Sequence, residues 1–174
     1  MNPFSEVKEL KNLVSREVGE KLKAFENSLK EIGEPRHIHT IREDLEGQTY
    51  PETDVLYVRR VLRVNGERVE GVFPQFESKF DTSLPKSLWN GSDMEQFKYC
   101  TERLKERIER DPEFAKQFTP RQLQQIREGA PRISGLTWHH SEIPGKMQLV
   151  NAETHEKCRH TGGRSIWGGG SGCR

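Results

Sequence analysis

Residues 137–163 read TWHHSEIPGKMQLVNAETHEKCRHTGG and hold His139, His140, His155 and His160, four of the six histidines in the chain. Imidazole titrates near neutrality, so it can accept a proton or, when neutral, ligate a divalent transition metal. Spacing decides which of these uses is feasible. Leu136, Trp138 and His140 alternate with Thr137 and His139, the period of a short strand with two faces. Neighbouring strand residues point to opposite faces, so His139 and His140 cannot do the same work: one can hold a metal while the other meets a substrate. Pro144-Gly145 marks a turn, Met147–Val150 suits a second strand, and Asn151 is a natural cap for a helix through AETHEKCRH. Packed across the hairpin, that helix can return His155 to the same metal. His160 stands five residues further on, about 140° round an ideal helix and off the ligand face. It joins only if the last turn loosens, and Thr161-Gly162-Gly163 supplies such a break, which makes His160 a weaker ligand candidate than His139 or His155.

Other elements must position these side chains. From Asn2-Pro3 to Gly33, Phe4, Val7, Leu10, Val14, Val18, Leu22, Phe25, Leu29 and Ile32 recur in steps of three or four and paint one stripe on a long amphipathic helix. Asn2 can cap it, Pro3 suits its first turn, and Gly33 with Pro35 closes it. Acidic and basic residues mix on the polar side, so the stripe reads as a packing or coiled-coil face and not a membrane-surface one. Residues 35–54 read as a polar loop whose His37 and His39 could be ligands but, with no further cluster nearby along the chain, read as ordinary surface histidines. Strands are expected near 55–64 and 67–73, joined at Asn65-Gly66, a dipeptide that tolerates the positive φ angles of a tight hairpin. Arg59, Arg60, Arg63 and Arg68 on this hairpin could touch phosphates, but a solvated outer face is the preferred reading.

FPQFESKFDTSLPKSLW has aromatics and prolines without clean periodicity and reads as an ordered, packed loop. Ser92 with Glu95 forms a capping box for a helix that carries Met94, Phe97, Cys100, Leu104 and Ile108 on one side. Asp111-Pro112 and Thr119-Pro120 start two short helices that end by Gly129. Cys100 reads as core, Cys158 as a small helix residue, and Cys173 as part of a flexible GGGSGC end. An odd cysteine count without a CxxC pair indicates reduced thiols and no disulfide framework.

The composition narrows the classes further. Charged and hydrophobic residues each make up 32% of 174 residues, and the formal net charge is +1. One domain of ordinary size plus an appendage is expected, with no global basic field to announce nucleic acid, although a local patch can still steer a ligand. No apolar run reaches the length of a membrane span, and the N-terminus lacks a signal-peptide layout.

The C-terminal residues carry a resemblance. Trp138-His139-His140, Met147–Val150, His155 and His160-Thr161-Gly162-Gly163 continuing into RSIWGGG resemble the WHH branch of the HNH/endonuclease VII nuclease superfamily. These nucleases are C-terminal domains of bacterial polymorphic and contact-dependent toxins. A broader likeness runs upstream through GVFPQF, LPKSLW, SDMEQFKYC and FTPRQLQQI. The likeness covers roughly residues 50–174 and does not extend to the N-terminal arm. It implies a nuclease domain ending in a ββα-metal motif at 133–163. With the helical arm read from the residues over 1–34, the expectation is an α+β chain whose nuclease domain spans 35–174. The resemblance also implies His140 as general base, His139 and His155 as ligands of one divalent ion (Mg²⁺, Mn²⁺, Zn²⁺ or Ni²⁺), and His160 in the place of a further ligand. The central Asn of the superfamily has no counterpart, because Lys146 stands nine residues before His155. Gln148 or backbone atoms are left to do its orienting work.

The expected chemistry is phosphodiester hydrolysis with water as nucleophile, for which no 2′-hydroxyl is needed and DNA is accessible. Lys146, Arg159 and Arg164 surround the motif as candidate phosphate contacts, which would give affinity without sequence choice. The resemblance implies a secreted antibacterial effector that acts in a target cell's cytoplasm and is neutralised in its producer by an immunity protein. The alternatives are an RNA-cleaving toxin of the same fold and a non-catalytic binding module stabilised by a zinc knot of His139, His155, Cys158 and His160.

Overall fold

The computed structural model describes residues 3–170, with side chains from Glu6 onward except those of residues 26, 27 and 29–32. The expected Asn2 cap and Cys173 lie outside the described residues, as do the side chains of Phe4, Leu29 and Ile32. The chain divides into two units, Met1–Pro35 and Arg36–Arg174. The first is one helix, α1 (Pro3–Ile32), followed by Gly33 at a positive φ of 62°. Arg16–Glu20 and Glu17–Lys21 pair one turn apart on its polar side. Val7, Leu10, Val14, Val18, Leu22 and Phe25 are all exposed, so nothing in this unit covers the apolar stripe.

The second unit is α+β and builds two three-stranded sheets. In the first, β1 (Arg36–His37) runs parallel to β3 (Glu67–Gln75), which pairs antiparallel with β2 (Leu56–Val64). Asn65 and Gly66 both take positive φ, 50° and 81°, as a two-residue hairpin turn requires. The arginines on β2 are exposed, and two of them are also ion-paired. Arg59 reaches Glu46 at 2.7 Å and Glu70 at 3.1 Å, and Arg60 reaches the buried Glu142 at 2.9 Å.

The second sheet has the order β4-β6-β5, formed by Ser78–Ser83, Lys146–Asn151 and Leu136–His140. β4 corrects the packed-loop reading of this stretch. It is an edge strand with a register shift between Ser78 and Phe80, and SKFDTS shows no apolar alternation because the partner that orders it lies far along the chain. β5 and β6 form a hairpin in which Trp138 faces Leu149 and His139 faces Gln148. Its turn needs Gly145, at φ 77°, where a Cβ would stand 2.8 Å from the Trp89 ring.

Helices α2 (Asp93–Arg110), α3 (Pro112–Ala115) and α4 (Pro120–Arg127) complete the support. Ser92–Glu95 and Thr119–Gln122 are full capping boxes, and Asp111 accepts from the Phe114 amide. Cys100, Leu104, Ile126, Trp138, Met147 and Leu149 form the main core, and the larger side chains among them contribute about 1.5–3 kcal/mol each. Met94, expected on the packed side of α2, is 48% exposed, because it lies in the first turn. A second cluster, including Tyr57, Val72, Phe76, Val150 and Cys158, contains residues from both sheets.

The chain ends in two short helices, α5 (Ala152–Lys157) and α6 (Gly163–Ile166). α5 stops three residues short of the expected His160. Cys158 turns extended and drops its side chain into the second core cluster, while the buried Tyr57 hydroxyl donates to the Arg159 carbonyl at 2.7 Å and holds the exit.

Candidate functional site

Three imidazoles from three segments converge: His139 from β5, His155 from α5, and His160 from the extended stretch beyond it. One ring nitrogen from each lies within 4.8 Å of the others. His139 Nδ1 and His155 Nε2 stand 3.1 Å apart. Two donors bound tetrahedrally to one cation at ordinary zinc–nitrogen distances sit about 3.3 Å apart, so the pair needs little adjustment to share an ion. His160 Nδ1 donates to the Cys158 carbonyl at 2.6 Å, which leaves Nε2 as its lone-pair nitrogen. The early end of α5 makes this possible. On a continued helix His160 would point elsewhere, whereas the extended residues swing it back.

Phe76 forms an apolar wall for the cluster, with ring centroids 4.8, 5.2 and 5.3 Å from those of His139, His155 and His160. Burial strips water from the rings and disfavours their charged forms. His139, 3% exposed, is held well below its ordinary pKa by that burial first and by the three neighbouring imidazoles second. His155 is lowered to about 4 by burial and then by His160 and His140. Burial also lowers His160, against the opposing pull of the Cys158 carbonyl and Glu142. All three favour the neutral form, the one that ligates metals. These donors fit a borderline transition cation better than a hard, oxygen-seeking one.

His140 turns the other way, toward α2. Its Nε2 lies 2.6 Å from Gln96 Oε1. Gln96 is fully buried, and its amide Nε2 donates to the carbonyls of Leu88 and Trp89 at 2.7 and 2.9 Å. Its oxygen must then accept, so His140 Nε2 carries the proton and Nδ1 is the basic nitrogen of the neutral ring. Arg164 donates to the same oxygen at 2.8 Å and to Gly91 O at 3.0 Å, and it approaches Asp93 at 3.4 Å. Its position depends on Gly163, where a Cβ would overlap the Ser141 carbonyl oxygen that accepts from Trp167 Nε1 at 2.8 Å.

The expected phosphate contacts separate. Arg159 is exposed and Lys146 is half-buried, 2.8 Å from Asp81. Arg164 departs from that reading: it is 5% exposed and its guanidinium is directed inward onto Gln96, Gly91 and Asp93. Cys158 stands apart from the imidazoles, its sulfur 3.8 Å from Thr53 Oγ1 within an apolar cluster, which argues against the four-ligand knot. Gln148 pairs with His139 across the strands and donates to Asp81 at 3.3 Å.

Sequence reasoning missed Phe76, Gln96 and Glu142 as parts of the site. The first two fall in GVFPQF and SDMEQFKYC, stretches marked by the resemblance without assigned roles. Glu142, buried and acting on His160, carried no signal, since a single acid in a turn is ordinary.

A family model described as the DNase/tRNase domain of colicin-like bacteriocin matches residues 65–162. This span includes the four C-terminal histidines with Phe76 and Gln96, and leaves out α1, β1, β2 and α6. No curated protein and no solved structure matches. The matched stretch is more than half of the 174 residues, and the chain belongs to the family of DNase/tRNase domains of colicin-like bacteriocins.

Proposed function

We propose that this nuclease is an HNH-type endonuclease of the WHH branch, dependent on one divalent metal ion, that hydrolyses DNA largely without sequence choice. The observation that carries the reading is the meeting of three neutral imidazoles, His139 buried and His155 and His160 half-buried, beside a fourth, His140, held in one tautomer. His139, His155 and His160 would hold the ion. A divalent cation there supplies screening of the phosphate charge and stabilisation of the departing oxygen. His140 takes the proton from the attacking water at Nδ1, as the Gln96 hydrogen bond orients it. Phe76 keeps bulk water off the three donors, and Arg159 contacts substrate phosphates, while Lys146 can join it only by leaving Asp81.

The biological reading is a secreted toxin used against competing bacteria, acting in the target cell, with an immunity protein covering the cleft in the producer. No described helix is long and apolar enough to cross a membrane. The family's description names both DNA and tRNA as substrates, so the test carries both. The full chain is incubated with plasmid and with total tRNA in Mg²⁺, Mn²⁺, Ni²⁺, Zn²⁺ or EDTA, beside His140→Ala. Metal-dependent plasmid cleavage that the variant loses is expected. Cleavage undiminished in EDTA or in the variant defeats the mechanism, and tRNA cleavage with intact plasmid defeats the DNA assignment.

A further inference from the structure

A second convergence of histidines lies outside this site. His37 ends β1, His39 follows it by two residues, and Glu43 opens the short 3-10 turn that comes next. One ligating atom from each lies within 4.8 Å of the other two. His37 Nε2 is 3.1 Å from one oxygen of Glu43, and His39 Nδ1 is 3.1 Å from the other. Arg42 is what brings the carboxylate back. It sits in the left-handed region at φ 67° and ψ 33°, an unfavourable conformation for a non-glycine residue, and it reverses the chain so that Glu43 faces the two rings. Thr40 pins the same loop by exchanging hydrogen bonds with the backbone of Val72 on β3.

We propose that His37, His39 and Glu43 form a second metal site, distinct from the nuclease centre, for a borderline divalent transition cation of the zinc and nickel class. Two imidazoles and one carboxylate are the ligands such ions accept, whereas calcium and magnesium require more oxygens. The 3.1 Å separations are close to the roughly 3.3 Å expected between donors on one tetrahedral cation. When a cation takes the place of the two bridging protons, each neutral ring moves its proton to its other nitrogen, so no proton is released and the site gains the full charge of the cation. For His37 that nitrogen is Nδ1, which already faces the Glu70 carboxylate at 3.8 Å, the outer acid that commonly orients a ligating histidine. Glu70 is itself balanced by Arg59 at 3.1 Å.

Three protein donors leave coordination positions open, and His39, 88% exposed, lines a groove shared with Val64, Val69, Thr161 and Ile166. Closing this loop has a consequence for the nuclease site. The Ile41 amide donates to Thr161 Oγ1 at 2.9 Å, next to His160, so a cation at the second site stiffens an anchor of the segment that carries His160.

The test is calorimetric titration of the full chain with Zn²⁺, repeated with His39→Ala and with the His139→Ala/His155→Ala double variant. The expected stoichiometry is two equivalents in the wild type and one in each variant. Glu43→Gln is expected to weaken the site lost in His39→Ala by at least tenfold. Imidazole ¹⁵N shifts of His37 and His39 on Zn²⁺ addition to the wild type supply a readout that does not depend on folding of the double variant. Equal stoichiometry in wild type and His39→Ala, or unmoved ¹⁵N shifts, overturns the second site and leaves the nuclease centre standing. The reverse result, a single equivalent lost in His39→Ala, supports the second site and sinks the metal assignment at His139 and His155.

Discussion

The two histidine clusters use the same donor and nearly the same spacing, 3.1 Å between the closest polar atoms in each, yet they are opposite in surroundings. His139, His155 and His160 sit behind Phe76 with no carboxylate bridging them, and burial keeps the rings neutral. His37 and His39 are exposed and share Glu43. A cation among neutral, largely desolvated ligands keeps more of its charge for a phosphate, because no carboxylate ligates it and less water screens it. An exposed cation with a carboxylate is better suited to tying a loop. Proximity alone does not separate these uses; the walls around the donors do.

The largest effect should follow from breaking the buried cluster. His155→Ala removes the α5 donor, and metal-dependent plasmid cleavage should fall to the background measured in EDTA. Cleavage retained within threefold would show that the three rings do not form the centre. His140→Ala should come next, with a loss of about 10²–10⁴-fold in rate while the buried cluster still binds metal. Loss of metal binding by this variant would place His140 among the ligands and undo the division of labour between the adjacent imidazoles.

How much of this could be read along the chain depends on the range of the interactions. Period-two alternation at Leu136–His140 places His139 and His140 on opposite faces, and the structure turns them toward α5 and α2. The capping boxes at Ser92 and Thr119 and the Asn65-Gly66 turn are local rules, and each element begins or turns where they put it. β4 and the end of α5 were not legible. The first is set by pairing with β6, and the second by Tyr57 reaching Arg159 from 102 residues away. Gln96 escaped for the same reason: its neighbours gave it the look of a polar helix residue, while its role comes from His140, 44 positions later. His37 and His39 read as surface histidines because their partner Glu43 meets them only through the reversal at Arg42.

Gln96 provides a smaller test of the wall on the His140 side. Gln96→Leu leaves the buried Arg164 without one acceptor and takes the side-chain donor from the Leu88 and Trp89 carbonyls, of which Leu88 keeps the Gly91 amide, and should destabilise the fold by about 1–3 kcal/mol. It should also lower cleavage at a temperature where the variant is folded, as the His140 tautomer is no longer fixed. Gln96→Glu, which keeps the acceptor, should recover part of the rate. Equal rates for wild type and Gln96→Leu would reduce Gln96 to a packing residue.

The smallest expected effect compares one cation near each cluster. Arg159 is exposed and has no ion pair among the described residues, whereas Arg59, beside the second cluster, is already matched by Glu46 and Glu70. A cation releases counterions from a nucleic acid only if its charge is not already neutralised within the protein. In the His140→Ala background, where binding is measured without cleavage, adding Arg159→Ala should reduce the slope of log affinity against log salt by about 0.9 for duplex DNA. Adding Arg59→Ala should leave the slope unchanged, because removing it exposes two carboxylates but takes no phosphate contact away. If Arg59→Ala shifts the slope as far as Arg159→Ala, the nucleic acid runs over the β2 face and the footprint is wider than the buried cluster implies.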